Sequence, residues 1–344
     1  MRLMKRIVCA RAGYAACAVA LALAVAPGAA RGADQKTYVM KISLPTLNDA
    51  PHQFAKNYAA AVAKDSGGRI KPEVYPLSQL GSIPRQIEGT QFGSIQCAVI
   101  PPEFFVGVDT RFQVMAAPGL VETLAQGQRL ARDPAVLKLM LGLGANKGLH
   151  GVGLFIAAQS AIIARSPIRH LADFKGKKIR IFASDFQSVA YDRLGATPVA
   201  MTLGDVLPAI QQGTIDGAVA AVPVFTNLHY ANVAKYVTET GQPAIFIAVE
   251  LSKKWYESLP KDLQKIVDHD AAAQAVAIDP WAANYDEAAR GVWRKQGGEL
   301  ISLPPQEQSA MMETLDSVGE DVAKKNPALN AAYKVVTEAA KRLR

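Results

Sequence analysis

In "DFKGKKIRI", residues 173–181, three lysines precede a short apolar run that carries Arg180. An arginine at the mouth of a strand can present parallel N–H donors to a carboxylate, and its charge persists at any relevant pH. The competing reading is an ion pair with a neighbouring acid at a sheet edge. Lys175, Lys177 and Lys178 read as a solvated turn that adds a mildly attractive field for anions. The remaining motifs point away from catalysis. "GLGANKG" (142–148) has neither the dinucleotide-loop spacing nor the Gly-Lys-Ser/Thr ending of a phosphate loop, and reads as a helix-to-strand connection. His52, His150, His170, His229 and His269 are scattered, with no H-E-x-x-H and no cysteine-rich metal spacing. The "DHD" of residues 268–270 reads as a solvated helix surface, since adjacent helical residues point in different directions. No G-x-S-x-G elbow is present. No cofactor, metal or catalytic residue is therefore assigned.

The elements that must position Arg180 begin after residue 33. Lys5, Arg6 and Arg11, then the apolar run Ala15 to Ala26, then small residues up to Ala33, read as a secretory signal peptide over 1–33. The apolar run is too short for a membrane span, so the processed chain is expected not to be membrane-embedded. The whole chain is formally +8, but five basic residues and no acid lie in that leader, leaving +3. That balance, without a Lys/Arg stripe interleaved with aromatics, excludes a nucleic-acid partner. Cys97 remains as a lone thiol within "IQCAVI", where it reads as a buried small side chain. About 310 residues exceed one ordinary core, which makes two lobes the expectation.

An internal echo supports two similarly built lobes. "LGSIPRQIEGTQFGSIQCAV" (80–99) and "LGDVLPAIQQGTIDGAVA" (203–220) each run Leu-Gly, a helical stripe, Gly-Ser/Thr-Ile and a strand of small apolar residues. Asp205 is the expected N-cap of the second helix and Gly213 its stop. Elsewhere 38–45, 69–76, 179–184 and 244–250 read as strands, the second kept near a sheet edge by Pro72. Phe54, Tyr58 and Val62 mark one helix face, and 263–295 is almost uninterrupted helix, broken at Pro280. The fold class is α/β with helices covering mixed or parallel sheets. Several short crossings, which suit a hinge that closes on a ligand, join the lobes.

In order along the chain, "SGGRIKPEVYPLSQLGSIPRQIEGTQFGSIQCAV", "SPIRHLADFKGKKIRI", "LGATPVAMTLGDVLPAIQQGTIDG", "KYVTETG" and "WYESLPKDLQKIV" resemble the substrate-binding proteins of tripartite ATP-independent periplasmic (TRAP) transporters, the DctP-like family. The resemblance covers nearly all of the chain after the leader. It implies a periplasmic receptor, not an enzyme: two α/β lobes of the type II periplasmic-binding kind around a cleft, and a long helix spanning both. It implies 34–157 plus about 245–284 as lobe I, and 158–244 plus about 285–344 as lobe II. It also implies delivery of an organic acid to the small and large membrane permease subunits, driven by an ion gradient. On the same resemblance Arg180 of "KKIRI" occupies the place of the arginine that clamps the ligand carboxylate.

Departures from the family pattern shape the expected ligand. Where many relatives carry a second arginine, the nearest register gives Gln159. Where a Glu-Asn-Pro-like segment follows "DG", this chain has Ala220 and Ala221. Loss of polar groups favours a less polar ligand, because buried polar atoms without partners are costly. The expectation is a monocarboxylate with an apolar or aromatic body lying near Ala220, Val222 and Phe225. Phe104 supplies an aromatic wall, Gln79 and Glu103 polar contacts, and Asn227 a ligand donor or a helix cap. The alternative function on the same scaffold is a ligand-sensing adaptor for a membrane signalling protein or, less favoured, a periplasmic enzyme.

Overall fold

Short apolar runs alternating with helical stripes build two sheets in the computed structural model, which describes residues 36–343. The expected leader lies outside the described residues. The strands are β1 (Tyr38–Ser43), β2 (Ile70–Tyr75), β3 (Cys97–Ile100), β4 (Leu149–Gln159), β5 (Ala161–Ala164), β6 (Lys178–Ile181), β7 (Thr197–Ala200), β8 (Gly217–Ala220), β9 (Tyr236–Glu239), β10 (Ala244–Ser252) and β11 (Glu299–Ser302). The first sheet has the order β2-β1-β3-β10-β4, and the second β11-β9-β5-β8-β6-β7. In each, parallel pairs joined through helices sit beside antiparallel strands that arrive from the other sheet. β2 lies at a sheet edge, where Pro72 and its missing N–H are tolerated.

The echoed segments fold alike. Helix Ile83–Phe92 ends at Gly93, φ 90°, and leads to β3; helix Leu203–Gln212 ends at Gly213, φ 72°, and leads to β8. Both glycines supply the left-handed turn that stops a helix. The expected N-cap at Asp205 is corrected: Thr202 takes that position, and Asp205, inside the first turn, accepts a hydrogen bond from the Thr202 hydroxyl at 2.9 Å. On helix Ala50–Asp65 the stripe Phe54, Tyr58 and Val62 is fully buried, and Phe54 stacks on Phe155 with centroids 4.9 Å apart. Each such side chain contributes roughly 1.5–3 kcal/mol of burial. Tyr58 also donates its hydroxyl to the Val267 carbonyl at 2.9 Å.

The helical run breaks at Pro280 as expected, into Lys261–Ala277 and Asp279–Lys295, which meet at Ile278. Pro280 has no N–H to offer the Val276 carbonyl four residues back. Arg132 donates to that carbonyl at 3.5 Å instead, and pairs with Asp279. The first of these helices packs on Ala50–Asp65 and β4, the second on β4, β11 and helix Val222–Asn227, so the pair reaches both sheets.

Two further segments cross between the sheets. β4 passes into β5 through Ser160 alone, and β9 returns to β10 through residues 240–243. Gly241 N–H donates to the Ser160 carbonyl at 3.2 Å, which ties the two crossings together. The C-terminal helix is Pro327–Arg342. Its stripe of Leu329, Ala332, Val336 and Ala339 packs on the segments Thr110–Ala116 and Pro134–Gly142, and Arg342 bonds Asp133 at 2.8 Å. That face is apolar at helical spacing.

Candidate functional site

The ends of β1, β3, β6, β7 and β8 converge on one cavity, and the segments that follow them line it: Pro45 and Thr46, Phe104, Phe182, Leu203, and Val224 respectively. Ligands in open α/β sheets bind in this way, outside the carboxyl ends of parallel strands. Ala157 of β4 and Ile245 and Ile247 of β10 close the wall beside the crossings. The cavity measures about 50 Å³, and its lining holds two ionisable side chains, Arg180 and Asp49.

Arg180 lies on β6 and is 1 % exposed. Its Nε donates to the Met201 carbonyl at 2.8 Å and its Nη1 to the Val219 carbonyl at 2.8 Å. The guanidinium carbon sits 4.7 Å from the Phe182 ring centre and 5.9 Å from that of Phe104, and those two rings stack at 5.3 Å. No carboxylate pairs with it among the described residues; the acids Asp216 and Glu299 pair with Arg165 and Arg169. The edge-pair reading of Arg180 is thereby excluded. Burial lowers its pKa to about 10, which leaves it cationic at neutral pH. Two of its five N–H groups are held by backbone, which fixes the plane and leaves the Nη1/Nη2 end for an anion.

Asp49 faces the same cavity and escaped the sequence reading. It caps the N-terminus of helix Ala50–Asp65 and is 4 % exposed. Its Oδ1 accepts from the Thr46 hydroxyl at 2.9 Å and from the His52 N–H at 3.2 Å. Burial pushes its pKa up to about 6. The available signal was Thr46-x-x-Asp49 at the end of the first strand, with Pro51 at the start of a helix.

The other expected contacts divide. Phe104 and Ala220 line the cavity. Val222 and Phe225 do not; both are buried in the core, with Phe225 edge-on to Tyr230 at 5.6 Å. The chain turns helical at Val222, so Ala221 and Val224, three apart, present the face to the cavity in their place. Gln159 turns away and donates to the Glu122 carbonyl at 2.7 Å, leaving Ala157 as the β4 residue on the cavity. Gln79 is solvent-exposed. Glu103 is 1 % exposed beside Phe104 but outside the lining; neither oxygen has a partner apart from the influence of its own backbone amide, and burial raises its pKa to about 8. Asn227 lies outside the lining, and the helix cap is Leu228. Its Nδ2 donates to the Leu47 and Asn48 carbonyls, both at 2.9 Å, and its Oδ1 accepts from the Tyr285 hydroxyl at 2.8 Å.

Among the described residues no group of three or more His, Cys, Asp or Glu could hold a metal ion, and no helix is long and apolar enough to cross a membrane. Cys97 is buried, and burial pushes its thiol far above the ordinary range.

Comparison with known proteins places these features in a family. Residues 44–326 match the model of the bacterial extracellular solute-binding proteins, family 7. The chain is 29% identical to the uncharacterized protein YiiZ of Salmonella typhimurium, over 70% of this chain and 72% of that one. It is 27% identical to the C4-dicarboxylate-binding periplasmic protein DctP of Rhodobacter capsulatus, over 94% and 95%. Its fold matches the crystal structure of a TRAP periplasmic solute-binding protein from Desulfovibrio salexigens with bound orotic acid, with a TM-score of 0.84 at 23% identity, covering 90% of this chain and 100% of that one.

Proposed function

From a chain that belongs to family 7 of the bacterial extracellular solute-binding proteins, the substrate-binding proteins of TRAP transporters, we propose a periplasmic receptor that closes over an organic monocarboxylate with an apolar body. It is a receptor and not an enzyme, as its family is. The observation that carries the carboxylate is Arg180, a guanidinium buried in a mainly apolar cavity and paired with no acid among the described residues. An uncompensated buried charge costs several kcal/mol. A bound anion removes that cost, and apolar walls that exclude water strengthen the pairing.

The named ligands of relatives, a C4-dicarboxylate in one and orotic acid in another, differ too much to choose for this chain. Its own walls favour an apolar body: Phe104, Phe182, Leu203, Val224 and Ile245 surround the space beside the guanidinium. We assign the lobes to the two sheets, divided at residues 157/158 and 244/245, with the C-terminal helix counted with the first. Thr46 and Phe104 then approach the ligand from one lobe and Arg180 and Leu203 from the other, so the ligand bridges both. The closed, loaded form is the one presented to the small and large permease subunits.

The test is a thermal-shift screen of the processed chain, freed of co-purified ligand, against mono- and dicarboxylates, with Arg180→Ala and Arg180→Lys in parallel. A ligand that binds only the folded state raises its Tm. A monocarboxylate shift that is lost in Arg180→Ala is the expected result. Shifts that survive in Arg180→Ala overturn the clamp, and a dicarboxylate that binds far better than its monoacid analogue overturns the ligand class.

A further inference from the structure

We propose that Asp49 is the second recognition pole of the cavity, so that the ligand is a carboxylic acid carrying a hydrogen-bond donor, a hydroxyl or an ammonium, on its body. This rests on the reading of Arg180 as the carboxylate clamp.

Two polar side chains of opposite kind line the cavity. Arg180 offers only donors. Asp49 is 4 % exposed; among the described residues it forms no ion pair, and its Oδ2 accepts no hydrogen bond from another residue. Thr46 also lines the cavity, but its hydroxyl hydrogen is committed to Asp49 Oδ1, which leaves only oxygen lone pairs to face a ligand. Asp49 and Thr46 therefore accept and do not donate. The rest of the lining is mainly carbon, with Pro45, Pro101, Phe104 and Phe182 among it. A ligand with a second carboxylate or an oxo group at the Asp49 end would set oxygen against oxygen in a site that excludes water. An acid without any polar group there would leave Asp49 Oδ2 without a partner, and sites with buried hydrogen-bonding groups discriminate strongly against ligands that cannot pair them.

A substitution can invert this preference without removing the helix cap. In Asp49→Asn, Oδ1 still accepts from Thr46 and His52, and asparagine is as good an N-cap as aspartate. The other side-chain atom, Oδ2 in the wild type, becomes an N–H donor. The experiment is calorimetric titration of the ligand-stripped wild type, Asp49→Asn and Arg180→Ala with matched acids. On butanoate, 3-methylbutanoate and 3-phenylpropanoate skeletons, each unsubstituted acid is compared with its hydroxy, amino and oxo derivatives, with succinate added.

We expect a hydroxy or amino derivative to bind wild type at least about tenfold more tightly than its unsubstituted and oxo counterparts. In Asp49→Asn that ratio collapses and the oxo acid gains. Comparison of hydroxy with amino members identifies which donor is used. Equal affinity across a matched set in the wild type, or a donor preference that persists in Asp49→Asn, overturns the inference while leaving the clamp standing. Acid binding retained in Arg180→Ala, or no acid bound by the wild type, overturns the clamp and the inference with it.

Discussion

At the scale of single residues the molecule keeps several ionisable groups dry, and they differ in what they do. Arg180 is held at a cavity wall with three N–H groups to spare, whereas Glu103 is sealed beside Phe104 with no cation near it. Glu103 titrates near pH 8 because burial disfavours its charged form. Its folded pKa lies above the unfolded value, so its contribution to stability is complete below about pH 4.5 and is lost as pH rises through about 8. Relative to Glu103→Gln, which does not titrate, wild-type stability is expected to fall by about 1.4 kcal/mol per pH unit across that window. Urea unfolding of both proteins at pH 5, 6.5 and 8 measures it; a constant difference across the three would refute the sealed, unpaired carboxyl. Arg180 was legible in the sequence because its motif is local. Asp49 was not, because a helix cap and a cavity wall look alike until the fold shows what lies opposite.

Elements were legible wherever a local rule set them. The echoed helix-to-strand units were visible because two glycines sit where two helices must stop, and Gly93 and Gly213 both adopt the left-handed conformation. At Gly213 a Cβ would meet Arg165 Nη1 at 3.0 Å, a flexible tip that can move, so backbone strain is the main cost of a substitution. Gly213→Ala should therefore lose about 1 kcal/mol of stability, and Gly213→Asn less, since asparagine tolerates this region. Thermal unfolding of the two variants checks the order; an unchanged Tm in the alanine variant would show that the helix end relaxes. The cavity lining after β8 differs from the expected contacts for an equally local reason. An extended reading alternates Ala220 and Val222 toward the ligand, but the helix begins at Val222 and turns Ala221 and Val224 to the cavity. One element boundary thus sets which residues after β8 line the cavity.

At the scale of the whole molecule, function depends on how the two sheets are held together around the cavity, and this was the least legible level. Asn227 lies some 180 residues from the carbonyls it bonds, and no periodicity or motif encodes such a pairing. It joins helix Val222–Asn227 to the loop between β1 and the Asp49 cap, while Tyr285 from the kinked helix pair braces it from behind. These bonds lie outside the cavity, so they are expected to act on closure and not on ligand choice. Losing them favours an open arrangement, and apparent affinity falls with the fraction of molecules able to close. Asn227→Ala is expected to weaken binding of every acid that the wild type takes by about tenfold, mainly through faster release. The selectivity order among acids should stay as in the wild type. Stopped-flow displacement of a bound acid measures the release rate, and titration of the same set of acids measures the order. A change of order would place Asn227 in contact with the ligand, whereas equal loss across the set identifies it as part of the clasp that keeps the receptor shut.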